Sequence, residues 1–160
     1  MSKLTFNDVE LDIPSDWQDQ GMVTFTLPST DKDVKPNIIV TKERLAKPTT
    51  LADYFERLKQ SIQKRGIQDF EILDEKDIIV AGEKAKVMLC TWDVSAMKKN
   101  LAEQGGYPAD EVKAGQVVKQ VQVTVLKGQM AFNMTGSFPD TMFDQYYKPF
   151  QQLLKSLKFL

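Results

Sequence analysis

Cys90 is the only cysteine in this 160-residue chain, and the chain contains no histidine. Without an imidazole there is no Ser-His-Asp or Cys-His pair to activate a nucleophile. There is also no histidine metal ligand and no imidazole titrating near neutrality. Cys90 stands inside the strand-like run Ala85 to Val94, where a buried structural thiol is expected rather than a catalytic one. Asp31 and Asp33, beside Lys32 and Lys35, bring carboxylates together, yet the glycine and terminal glutamate of a calcium loop are missing, so a solvated turn is expected. Gly105-Gly106 neither follows a dinucleotide-type strand nor precedes a P-loop lysine. Asn133-Met134-Thr135 matches a glycosylation acceptor only formally. Binding, with no catalysis, cofactor or metal, is the chemistry these residues leave.

Composition narrows the class of partner. Twenty-one basic and 22 acidic residues give a net charge of −1, without the basic footprint of a nucleic-acid binder. Trp17 and Trp92 lack the regular spacing with lysine or arginine that a base-stacking platform needs; each is expected to pack against a sheet, Trp17 plugging one end. An apolar share of 42% with 27% charged residues is globular, and a chain of this length buries about 69% of its unfolded surface as one domain. The first residues carry no apolar run of signal-peptide length, and no stretch approaches the roughly 20 apolar residues that span a bilayer. A cytoplasmic protein that is not membrane-embedded is expected.

Strands are expected at Leu4 to Phe6, Val9 to Ile13, Met22 to Leu27, Asn37 to Glu43, Phe70 to Leu73, Asp77 to Val80, Ala85 to Val94, Val117 to Lys127 and Met130 to Phe138. Thr50 caps a helix whose apolar stripe is Leu51, Tyr54, Phe55, Leu58 and Ile62, with Gly66 as its stop. A second helix starts at Pro139-Asp140 and runs through Met142, Tyr146, Phe150 and Leu157, with a kink or break expected at Pro149. Residues 95–115 form a polar surface excursion with one short helical piece near Met97 to Gln104. The expected fold is α+β: one antiparallel sheet of six or more strands with both helices on the same face.

Alternation then divides the late strands. Val121, Val123, Val125, Met130, Phe132 and Met134 take the helix side, leaving Val118, Gln120, Gln122, Thr124, Ala131, Asn133 and Thr135 opposite, joined by Met22, Thr24 and Thr26. In the plainest reading this second face is solvated antiparallel sheet.

The segment Ile13-Pro14 to Trp17-Gln18-Asp19-Gln20, with the strand Met22 to Leu27 and Pro28, resembles the opening of the DcrB-related family that includes the Eag chaperones of bacterial type VI secretion. Ala52-Asp53-Tyr54, Trp92, Lys119-Gln120-Val121 and the aromatic last helix follow in the family's order. The resemblance implies a PsbP- or Mog-like fold. It also implies a homodimeric cytoplasmic chaperone that holds the hydrophobic amino-terminal transmembrane segment of a secreted effector and assists its loading. Met22, Thr24 and Gln120 match the family's binding strands, and Thr26, Val118, Gln122, Thr124 and Asn133 extend the same face. The alternative is a PsbP- or Mog-like accessory module that binds a folded partner through its loops.

Overall fold

A computed structural model describes residues 1–17, 21–29, 34–67, 69–93 and 117–160. Among them, eight strands form: β1 (Ser2–Phe6), β2 (Val9–Ile13), β3 (Met22–Thr26), β4 (Asn37–Arg44), β5 (Glu71–Val80), β6 (Glu83–Asp93), β7 (Val117–Lys127) and β8 (Met130–Pro139). Helix α1 (Leu51–Lys64) lies between β4 and β5 in the chain, and helix α2 (Phe143–Ser156) follows a 3-10 turn at Asp140–Met142. The α+β class is as expected, but there are two sheets. β3 to β8 make one antiparallel sheet in the order β3-β4-β8-β7-β6-β5, and β1 pairs with β2 alone. A two-residue link with Asn7 at φ 49° closes that hairpin locally, and among the described residues neither of its strands pairs with a third strand.

The two expected runs Phe70 to Leu73 and Asp77 to Val80 belong to one strand. A register shift between Ile72 and Asp74 absorbs the extra residue, so the charged stretch Asp74 to Asp77 stays paired with β6. At the end of β5, Ala81 and Gly82 both adopt positive φ, the geometry a tight hairpin turn demands.

Thr50 caps α1 as expected: its Oγ1 accepts from the Asp53 amide at 3.1 Å, and Asp53 and Lys64 complement the two ends of the helix dipole. No break occurs in α2, which continues through Pro149. The one backbone bond that proline removes is outweighed by the burial of Phe143, Tyr146 and Phe150, each aromatic contributing about 1.5–3 kcal/mol. The Phe138 ring stacks on Tyr146 at 5.4 Å and meets Phe150 edge-on at 6.4 Å, tying the helix to β8.

The helices lie on opposite faces, which corrects the expectation of a shared one. α2 covers Ile38, Val87, Val121, Val123, Val125 and Met134. Phe55 and Ile62 of α1 pack instead with Met88, Cys90, Ile72 and Trp92, the alternate residues of the strands. The reason lies in β6, where Val87 and Leu89 point to one core cluster and Met88 and Cys90 to the other. A strand apolar on both faces must be covered on both. Trp92 packs as expected, whereas Trp17 is 67% exposed and plugs nothing. The excursion at 95–115, its short helix and the Asp31-Lys32-Asp33 turn lie outside the described residues.

Candidate binding face

Antiparallel residues that sit opposite one another share a face. The register of β3, β4, β8 and β7 therefore builds three cross-strand rows: Met22-Thr41-Asn133-Thr124, Thr24-Ile39-Thr135-Gln122, and Thr26-Asn37-Ser137-Gln120. All the residues singled out by alternation fall on this one face, Val118 included, two places before Gln120. Asn37, Ile39, Thr41 and Ser137 belong with them and were missed. The first three were legible from the same alternation, since Ile38 and Val40 between them face α2.

Depth separates these residues into two groups. Met22, Thr24 and Thr26 are exposed and Gln120 is half-buried, whereas Val118, Gln122, Thr124 and Asn133 are buried. Helix α1 lies on this same face and takes its inner half. Thr124 Oγ1 donates to Asn133 Oδ1 at 2.7 Å, Asn133 Nδ2 donates to the Tyr54 hydroxyl at 2.8 Å, and that hydroxyl donates to Glu43 Oε2 at 3.0 Å. The chain of donors pins α1 to β7, β8 and β4, so Thr124 and Asn133 present a helix anchor rather than open surface. Burial, followed by the hydrogen bond to Glu43, raises the Tyr54 phenol above its ordinary pKa against the opposing hydrogen bond from Asn133. Its neutral form is favoured in the fold, so the stability it contributes is full below the unfolded pKa and is lost as pH rises through the raised one. Tyr54→Phe strands the Asn133 amide. It should cost about 1–3 kcal/mol in urea melts and remove part of the wild type's alkaline loss of stability.

Cys90 is fully buried, and desolvation pushes its thiol up to about 12. Its Sγ lies 3.6 Å from Gln120 Oε1 as donor, and Gln120 Nε2 donates to Ser137 Oγ at 3.0 Å. A protonated, enclosed thiol is a packing group. Iodoacetamide at pH 8 should leave native Cys90 unlabelled and modify it only after urea unfolding; rapid native labelling would contradict that assignment.

What remains open is a strip over β3, β4 and β8, with the near edge of β7. Neighbouring strands are about 4.8 Å apart, so β3 to β7 spans about 14 Å. Packed helices sit about 8–10 Å apart, which leaves room for one more helix beside α1, centred between β4 and β8. The three rows carry hydroxyls, amides, Met22 and Ile39, and no charge. Elsewhere in the same fold, β5 presents Glu71, Asp74, Glu75, Lys76 and Asp77, and the β1–β2 hairpin carries Lys3, Glu10 and Asp12. Gln122 Oε1 and Asn37 Oδ1, on the same face, are buried without a hydrogen-bond partner among the described residues.

Among the described residues no helix is long and apolar enough to cross a membrane. The family model DcrB matches residues 9–102, from β2 past β6. Effector EagT6 of Pseudomonas aeruginosa is 24% identical over 92 residues; the match covers 58% of this chain and 63% of that protein, less than two thirds of its length. Among solved structures, the protein of unknown function PA94 from Pseudomonas aeruginosa aligns over 100% of this chain and 97% of its own, with 18% identity and a TM-score of 0.72. That likeness extends the shared fold through β7, β8 and α2. PsbP of Synechocystis aligns over 94% of this chain and 86% of its own at 10% identity, but its TM-score of 0.48 is too low to bear on the fold. The family match spans more than half of the chain, and the chain belongs to the DcrB family.

Proposed function

We propose that this protein is a non-catalytic, cytoplasmic chaperone for a type VI secretion effector, and that the uncharged strip beside α1 holds the effector's hydrophobic amino-terminal transmembrane segment until loading. The observation that carries the reading is a sheet surface one helix wide whose three cross-strand rows carry no charge, in a chain that is 27% charged. A membrane helix in water exposes apolar surface at about 25 cal/mol per Å², so a shallow cover for it is strongly favoured. Hydroxyls and amides on the open rows, Thr24, Thr41 and Thr135 among them, can meet the small polar residues of such a helix. Met22, Thr24, Thr26 and Gln120 form the contact surface; Val118, Gln122, Thr124 and Asn133 support it from beneath. Co-expression with amino-terminal effector segments, followed by size-exclusion chromatography, tests the reading. A stable complex with the hydrophobic segment is expected, and binding only to the folded remainder of an effector would favour a loop-binding module.

The homodimer forms through the edge of β3. Among the described residues Met22–Thr26 has only β4 beside it; it contains neither charge nor proline, and half-exposes Val23 and Phe25 on its other side. An edge without such protection is a pairing template, and an antiparallel strand meeting its own copy about a two-fold axis is self-complementary. Phe25→Lys is expected to convert a dimer into a folded monomer in sedimentation velocity. A wild type that sediments as a monomer would contradict this interface.

A further inference from the structure

A groove of about 310 Å³ runs between β5 and α2, on the face of the sheet opposite the uncharged strip. Its floor is Val80, Val87, Val121 and Val123, all buried, and Leu154 of α2 forms a wall. Two cations stand at its exposed rim, Lys76 of β5 and Lys155 in the last turn of α2. Lys155 forms no ion pair with a described residue. Lys76 lies 3.6 Å from Asp74, and both side chains are half-exposed, a contact too wet to neutralise it. An aliphatic groove under a cationic rim matches the build of small-ligand sites, apolar lining with a few oriented polar groups.

The charge of the strand decides against a peptide here. β5 is an edge strand with Glu71, Asp74, Glu75, Lys76 and Asp77 along it, the pattern that discourages strand addition. At about 30 Å³ for each small group, the groove accommodates a chain of about ten carbons. We propose that it binds a single-chain anionic amphiphile, an acyl chain lying against the half-buried Ile78, Tyr147 and Leu154 above the four valines, with its carboxylate held by Lys76 and Lys155. This site is separate from the client strip, and it stands whether or not the strip binds an effector.

Methyl NMR of the full-length protein titrated with decanoate and with decanol tests the proposal. Decanoate should shift the Val121 and Val123 methyls saturably, and decanol should bind at least tenfold more weakly. The Lys76→Gln, Lys155→Gln double variant should lose at least tenfold in decanoate affinity with its melting temperature unchanged. Absence of shifts at these valines, decanol binding as tightly as decanoate, or shifts at Ile39 in place of the valines would each overturn it.

Discussion

Gly136→Val is expected to destabilise the fold by about 3 kcal/mol or more, lowering the urea midpoint with little change in slope. A Cβ at this position would stand 2.6 Å from Phe138 Cζ, 2.9 Å from Phe138 Cε2 and 3.2 Å from Phe150 Cδ2. Both rings are fully buried and packed against each other, so neither can swing aside. Valine's better strand propensity returns at most about 1 kcal/mol, which overpacking by two branched methyls exceeds. The adjacent Thr135→Val faces the open strip and should stay within about 1 kcal/mol of wild type. A Gly136 variant as stable as the Thr135 variant would mean that α2 does not clamp β8 as described.

The largest functional effect is expected at Ile39, the centre of the middle row. Ile39→Glu puts a carboxylate where the seated segment would exclude water, and an acid at the centre of an apolar helix contact costs about 3 kcal/mol. That is a loss of capture of roughly a hundredfold, read by pull-down of an effector's amino-terminal segment. Ile39 is only half-buried in the free protein, so the variant should fold. Lys148→Glu, on the exposed side of α2, is the control and should capture normally.

Face membership was legible because a strand's period of two needs no tertiary information: Gln120, Gln122 and Thr124 separated cleanly from Val121, Val123 and Val125. The side taken by each helix was not legible from those strands. An amphipathic stripe such as Leu51-Tyr54-Phe55-Leu58 says only that a helix is covered, and both sheet faces can cover it. The signal lay in β6, whose unbroken apolar stretch Val87 to Cys90 demanded a layer on either side, and the consequence is that α1 shares the face of the proposed strip. Thr124 and Asn133 looked like surface polar groups because their partner, Tyr54, is distant in sequence and reads as one more apolar position on α1. The fusion of two expected runs into β5 was hidden by the charges from Asp74 to Asp77, which an edge strand tolerates and a central strand would not.

Site-specific photo-cross-linking tests whether the uncharged strip seats the effector segment. A benzophenone side chain placed at Thr135, in the middle of the strip, is compared with one at Gln151 on α2 across the sheet, each irradiated with an effector's hydrophobic amino-terminal segment bound. A cross-link to that segment is expected from position 135 and none from position 151. Cross-linking from 151 alone, or from neither position in a complex that remains intact on a sizing column, would contradict it.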